Sequence, residues 1–389
     1  MPTPSNTLRI AVLPGDGIGT EVTEATLAVL EPLAKRHGIG LAFETLRAGA
    51  FCYRDTGTAM SEETFAAAAS ADAILLGAMG WPEIRTADGT EIAPQLDLRF
   101  RLNLYAGVRP FRAIPGVPVA LADPRARDID LVIVRESTEG LFFSRDRGTV
   151  SHDMAEETLR ITRPVTEKLA RFSFELARRR AEARSGRRAE ARSGRRAEAH
   201  SGGRPEARNR PGVVTLVDKA NVFRAFAFMR GIFAEVAAEF PDVASRSHYV
   251  DAMALDLVRR PWEFDVLPTE NMFGDILSDL GAGLVGGMGF APSADIGDAH
   301  AVFQPAHGTA PDIAGRGLAN PTATLLSAAM MLDWLGARGA GQGFADAAAE
   351  LESAVDGAFA AGLRSPDIGG RDGTAAVARA VAQRLRPGG

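Results

Sequence analysis

The stretch "FDVLPTENMFGDILSDLGAGL", residues 264–284, holds a strand and a helix in close succession. FDVLP is a short apolar run bounded by polar residues. From Asn271 to Leu284, Phe273, Leu277, Leu280 and Leu284 recur at the 3/4 spacing of a buried helical stripe. Asp275 and Asp279 lie four residues apart and so share a face of that helix. Two like charges there repel by about a few tenths of a kcal/mol. Two readings are open: a solvated face with Asp275 in a first turn that favours negative charge, or two carboxylates set to share a divalent cation.

The strand–helix unit recurs along the chain. Strands are expected at 8–13, 41–46, 72–79, 130–136, 213–218 and 264–268. Helices are expected at about 20–36, 163–178, 221–240, 271–284, 321–336 and 345–361. Such alternation predicts an α/β fold with helices covering a largely parallel sheet. The 389 residues, 46% of them hydrophobic, suffice for one large or two ordinary domains. The single cysteine, Cys52, excludes an internal disulfide framework and suits a reducing compartment. The N-terminus shows no basic segment leading into an apolar core, and no apolar run reaches membrane-spanning length. A soluble, cytoplasmic protein is expected.

The net charge of −5 hides an asymmetry: residues 178–210 hold twelve Arg and four Glu, a local +8 against −13 elsewhere. This segment repeats an octapeptide, RRAEARSG at 179–186 and 187–194, RRAEAHSG at 195–202, then a degraded copy. Eight is not a multiple of 3.6, so no apolar face accumulates. A solvated insertion at 178–210, flexible or weakly helical, is expected after a helix ending near Arg178. The alternative is a basic tether for nucleic acid or an acidic partner, although an acidic body argues against nucleic acid as the main ligand.

Several other motifs carry chemistry. "PGDGIGTEV" (14–22) spaces its glycines as G-x-G-x-G, with Thr20 where a dinucleotide fingerprint would have a third, so a tight strand-to-helix turn is the better account. Arg99, Arg109 and Arg135 stand near expected element ends, where open α/β sheets bind ligands, and planar forks suit a substrate with several carboxylates. Lys219 follows the strand VVTLVD. It reads either as a solvent-facing lysine or as a base activated by burial. Asp251 opens a helix, where an N-cap is the plain reading. The stretch at 300–321 contains a long irregular loop after a strand, of the kind that often binds ligands, carrying His307, Asp312 and Asn320.

Taken together and in order, "RESTEG", "VDKANV", "NMFGDILSD" and "HGTAPDIAG" resemble the β-decarboxylating dehydrogenases, which act on isopropylmalate, isocitrate, homoisocitrate, tartrate or D-malate. The resemblance covers nearly all of the chain outside 178–210. It implies a non-Rossmann, isopropylmalate/isocitrate dehydrogenase-like α/β fold. Residues 1–104 and 286–389 would form a large cofactor-binding domain, and 105–285 a small central domain with dimer contacts. It further implies that Arg99, Arg109 and Arg135 grip the malate core of the substrate. Asp275 and Asp279, with Asp251 of the partner subunit, would hold Mg2+ or Mn2+, and the partner subunit's Lys219 would act as base. His307, Gly308, Thr309, Ala310, Asp312 and Asn320 would bind the dinucleotide. Asp312 stands where the NAD users place an acid against the ribose hydroxyls; like charge there would oppose a 2′-phosphate, so NAD is expected.

Two positions depart from the pattern. Phe142 occupies the place of a tyrosine that supplies the final proton, and phenylalanine has none to give. Gln95, one turn before Arg99, stands where isopropylmalate enzymes keep an apolar residue. An amide left unpaired against an alkyl group costs ~1–3 kcal/mol. A polar or small C3 substituent, as in tartrate, D-malate or isocitrate, is therefore expected over isopropyl. 3-Isopropylmalate is the alternative substrate, and a catalytically weak binding protein using its basic insert is the alternative of another class.

Overall fold

The computed structural model describes residues 7–145, 147–192 and 212–385. The first run of elements is β1 (Leu8–Gly15), α1 (Ile18–His37), β2 (Leu41–Thr45), α2 (Ala50–Thr56), α3 (Glu62–Ala69), β3 (Ala73–Ala78) and α4 (Pro94–Arg101). The middle of the chain forms β4 (Ala106–Arg112), β5 (Asp130–Glu136), β6 (Thr149–Val150), β7 (Ala155–Glu156), α5 (Arg163–Arg192), β8 (Val213–Asp218), α6 (Arg224–Ala237), β9 (Ala244–Tyr249), α7 (Val250–Arg259), β10 (Val266–Thr269) and α8 (Asn271–Leu284). Then follow β11 (Pro292–Ile296), β12 (Ala301–Pro305), α9 (Thr322–Leu335), α10 (Gln342–Ala360) and α11 (Thr374–Arg384).

Two compact units emerge. The first comprises Met1–Asn103, Ile114–Pro118 and Gly286–Gly389; the second, Leu104–Ala113 and Val119–Val285. In the first, strands run in the order β2-β1-β3-β12-β11, parallel except for the β11–β12 pair. Every residue of β3, AILLGA, is buried, as a strand covered on both faces should be. Segment 114–118 returns to this unit: Gly116 has φ +87°, and a Cβ there would lie 2.3 Å from the Phe359 carbonyl oxygen, so only glycine fits.

In the second unit the order is β4-β5-β10-β8-β9, with β4 antiparallel to β5 and the rest parallel. The carboxyl ends of β5, β10 and β8 therefore share one edge, and their amino ends share the other. Two details differ from the sequence reading of α8. Its buried stripe runs through small residues, Gly274, Ser278 and Gly281, as well as Leu277 and Leu284, while Phe273 and Leu280 are only half-buried. The reason is close approach: a Cβ on Gly274 would meet the Arg135 side chain, and one on Gly281 the Phe111 ring. Asp275 is also beyond the first turn, whose cap is Glu270, with Oε2 accepting from the Met272 and Phe273 amides.

The larger correction concerns α5. It does not stop near Arg178 but continues to Arg192, through the first repeat. Phe174 and Ala177 are fully buried, and beyond them Arg180 and Arg184, one turn apart, reach Asp130 and Asp265. Paired carboxylates, not apolar contacts, hold this part of the repeat in place. The remainder of the expected insertion, from 193 to 210, lies outside the described residues. Among the described residues no helix is long and apolar enough to cross a membrane.

Candidate active site

In the second unit, Arg109 on β4 lies opposite Ile133 on β5, and Arg135 follows two residues later. Cross-strand partners and i,i+2 neighbours project to one side, so both guanidiniums rise from the same face of the sheet. α8 lies over that face, with Gly274 seated on Arg135 and Gly281 on Phe111. Its aspartates are thus brought beside the arginines. Arg135 is almost fully buried; its Nε donates to Asn271 Oδ1 at 2.8 Å and its Nη1 to Asp275 Oδ1. Asn271 is held in turn by its own Nδ2, which donates to the Glu139 carbonyl at 3.0 Å. Asp279 is exposed, yet its carboxyl is raised by burial of its surroundings and by the charge of Asp275, against the pull of Arg109 and Arg135.

Lys219 and Asp251 form a second group. Lys219, just past the end of β8, donates from Nζ to Asp251 Oδ1 at 2.6 Å. That bond holds the exposed Asp251 carboxyl below its usual range. Asp251 is not the cap of α7, which is Tyr249; it lies in the first turn. One chain does not gather all three expected metal ligands, since among the described residues no group of three or more acidic, His or Cys side chains is placed to hold an ion. Asp275 and Asp279 nevertheless fit a hard divalent cation: two carboxylates one turn apart, reachable from solvent, whose mutual repulsion such an ion would relieve.

Phe142 lies in the short turn after β5, with its ring centroid 4.9 Å from the Arg135 guanidinium. Behind that turn, sequence reasoning missed Glu136, Glu139 and Glu270, all almost wholly buried. Glu136 accepts from the Thr138 amide and hydroxyl and from the Glu139 amide. Burial outweighs these bonds and pushes its carboxyl up to about 7. Asn271 was also missed; a polar residue one place past a helix cap, four before a paired Asp, is the only local sign of it.

In the first unit the glycine turn and the long loop pack together. Gly17 has φ +56°, and a Cβ there would collide with the Thr309 carbonyl, which accepts from the Ile18 amide at 2.9 Å. Asp16 organises the turn, accepting from the Ala50, Phe51 and Gly80 amides at 2.6, 2.9 and 3.0 Å. Ala310 adopts φ +40°, Thr309 is buried, and Gly308 and Asp312 are exposed. His307 bonds the Gly308 carbonyl through Nδ1, whereas its Nε2 is buried without a partner; burial pushes its imidazole below the usual range. Asn320 donates to Asp367 at 3.0 Å and accepts from the Thr322 amide and hydroxyl. An orphaned donor-acceptor, exposed backbone and an exposed acid suit a polar ligand with ribose hydroxyls.

Arg99 is placed differently from Arg109 and Arg135. It is buried in the first unit and donates from Nη2 to Asp295 Oδ2 at 3.0 Å, an oxygen that also accepts from Gln304 Nε2 at 2.9 Å. Its Nε is buried without a partner, as is Gln95 Oε1 one turn earlier.

Comparison with known proteins agrees with this architecture. The family model for isocitrate/isopropylmalate dehydrogenase matches residues 9–186 and 203–381. The 3-isopropylmalate/3-methylmalate dehydrogenase of Methanocaldococcus jannaschii is 40% identical over 379 residues, covering 97% of this chain and 99% of that protein. The 3-isopropylmalate dehydrogenase of Methanothermobacter thermautotrophicus is 37% identical over 381 residues, covering 97% and 98%. Among solved structures, isocitrate dehydrogenase from Methylococcus capsulatus superimposes with a TM-score of 0.78 at 33% identity, covering 98% of this chain and 100% of that one. A β-decarboxylating dehydrogenase from Thermococcus kodakarensis gives 0.73 at 36%, covering 97% and 96%. The chain belongs to the isocitrate/isopropylmalate dehydrogenase family and is a decarboxylating hydroxy-acid dehydrogenase.

Proposed function

We propose that this enzyme oxidises and decarboxylates a 3-alkylmalate, 3-isopropylmalate first among them, using NAD and Mg2+ or Mn2+, as a homodimer with shared active sites. The observation that carries the reaction is the face where Arg109 and Arg135 meet Asp275 and Asp279: anion-binding forks beside a pair of carboxylates. The choice of substrate leans on the relatives, which are 3-isopropylmalate dehydrogenases at 37–40% identity. They favour that alternative over the polar substituent expected from Gln95. A second reading survives on one point: the buried, unpartnered Gln95 Oε1 would accept a hydrogen bond from a C3 hydroxyl.

In this reading Arg109 and Arg135 orient the substrate's carboxylates, and Arg99 offers its unengaged Nε. Asp275 and Asp279 hold the cation, with Asp251 of the partner subunit. When bound, the ion acidifies the substrate alcohol and stabilises negative charge after loss of carbon dioxide. The partner subunit's Lys219 would take the hydroxyl proton, and NAD, when bound, would supply the hydride acceptor. His307, Thr309, Asp312 and Asn320 hold the dinucleotide. Dimerisation has a surface to use: every large apolar side chain left exposed among the described residues belongs to the second unit. Val222 and Phe223 follow Lys219, Tyr249 and Leu255 flank Asp251, and Ile276 adjoins Asp275. Apolar surface around the groups that need a partner suits an interface.

The test is NADH formation with Mn2+ across 3-isopropylmalate, 3-methylmalate, isocitrate, tartrate and D-malate. The highest kcat/KM is expected for 3-isopropylmalate. A preference for tartrate or isocitrate would transfer the assignment to the Gln95 reading, and activity unaffected by exhaustive chelation would overturn the metal role.

A further inference from the structure

The octapeptide repeat is the motif that the dehydrogenase chemistry leaves unused. We propose that its first copy is a charge-neutral brace across the amino ends of β5, β8 and β10, with Arg180 and Arg184 as its arms. We further infer that residues 187–202 are tandem copies of it which the enzyme can lose.

The brace is built as follows. Arg180 donates from Nε to Asp265 Oδ1 at 2.8 Å, and from Nη2 to the Asp130 carboxylate at 2.8 Å and carbonyl at 3.0 Å. Arg184 donates from Nη2 to Asp265 Oδ1 at 2.8 Å and Asp130 Oδ2 at 3.1 Å. Asp265 is 2% exposed and joins three strands: its carbonyl accepts from the Val132 amide of β5, its Oδ2 from the Val213 amide of β8, and β10 begins at the next residue. Without a cation this carboxylate would be a buried, uncompensated charge. Two arginines against two aspartates leave none. Desolvation under the two arginines raises the half-exposed Asp130 carboxyl, but their guanidiniums outweigh it and hold it well below the usual range.

Only the first copy can occupy this place. Phe174 and Ala177, fully buried upstream, fix the helix in register, and a shift of eight residues would carry the arms about 12 Å along the axis. The family match agrees: it includes the first copy, stops at 186 and resumes at 203, skipping a span equal to two copies. Nothing in this depends on the substrate proposed above.

Thermal unfolding of the full chain and of four variants tests it. Deleting 187–202 should move Tm by no more than about 2 °C. Arg180→Gln/Arg184→Gln should lower Tm by on the order of 10 °C, as expected when one side of a buried ion pair is removed. Adding Asp265→Asn to that variant should recover part of the loss, because the stranded charge goes too. If the double variant is insoluble, Arg184→Lys, which keeps the charge but not the fork, should give a smaller fall. A deletion as damaging as the arginine changes, or arginine changes without effect on Tm, overturns the proposal.

Discussion

Strand β5 has opposite electrostatic characters at its two ends. At its amino end Asp130 is locked with Asp265, Arg180 and Arg184, and every charge has an opposite within hydrogen-bond reach. At its carboxyl end Arg109 and Arg135 face Asp275 and Asp279, but of the two aspartates only Asp275 is bonded to an arginine, and Glu136 is buried among hydrogen-bond donors. The first arrangement is finished within the chain. The second is left open, with Asp279 tied to neither arginine, as suits a place that receives a cation and a charged substrate. Charge that the fold does not satisfy marks the working end of the sheet.

The sharpest way to break this contrast is to remove the unbonded charge. Asp279→Asn should lower kcat/KM by ~10³-fold or more, since charge stabilisation by a held cation supplies several kcal/mol. Tm should stay level or rise slightly, because a repulsion is relieved. Full activity in that variant would mean that the pair is only a solvated helix face.

The two ends should also respond oppositely to pH. Asp130 is depressed in the folded state, so its contribution is present above the unfolded carboxylate value, about 4, and is lost as pH falls through the folded one. Glu136 is raised to about 7, so folding takes up a proton between about 4.3 and 7. Its contribution is complete below that window and lost as pH rises through it. Denaturant titrations should show stability declining from pH 4.5 to 7 by roughly 1–3 kcal/mol, and Glu136→Gln should flatten that slope while leaving the acid limb in place. A slope unchanged in the variant would assign it to other groups.

What could be foreseen from the sequence divides along the same line. Asp275 and Asp279 were legible because a helix places i and i+4 side by side, and the bounds of α8, β5 and β8 followed from local apolar rhythm. The partners of Arg180 were not, since Asp130 and Asp265 lie 50 and 85 residues away and no local pattern joins them. The same holds for Asn271 with Arg135, 136 residues apart. A repeat with no apolar face reads as solvated unless its charges have buried counterparts elsewhere. β11 and its antiparallel pairing were missed because PSADI alternates too weakly to stand out from the glycine-rich residues before it.

Phe142 offers a smaller perturbation at the working end. Its ring packs on Arg135 where the resemblance sets a proton-donating tyrosine. A positioned general acid contributes about 10²–10⁴-fold when its step limits the rate. Phe142→Tyr should therefore raise kcat by at least ~10-fold if protonation of the decarboxylated intermediate is slow, with little change in KM. A kcat unaltered in that variant would show that another group already supplies the proton.

The smallest effect belongs to a control on the same helix. Arg163, Arg171 and Arg178 of α5 pair with Glu235, Glu239 and Asp242, in geometry as good as that of the brace, but with both partners of each pair substantially exposed. Arg178 donates to both Asp242 oxygens, from Nε at 2.7 Å and Nη2 at 2.6 Å. Water and salt screen such pairs, so each contributes little. A double-mutant cycle of Arg178→Gln and Asp242→Asn should give only weak coupling, fading at high salt. The parallel cycle of Arg184→Gln and Asp265→Asn should be several times larger and resist salt. Two arginines six residues apart on one helix, each bonded to an aspartate, would then differ through burial and through the second arginine and aspartate that join the buried pair. Equal couplings would mean that burial is not what gives the brace its strength.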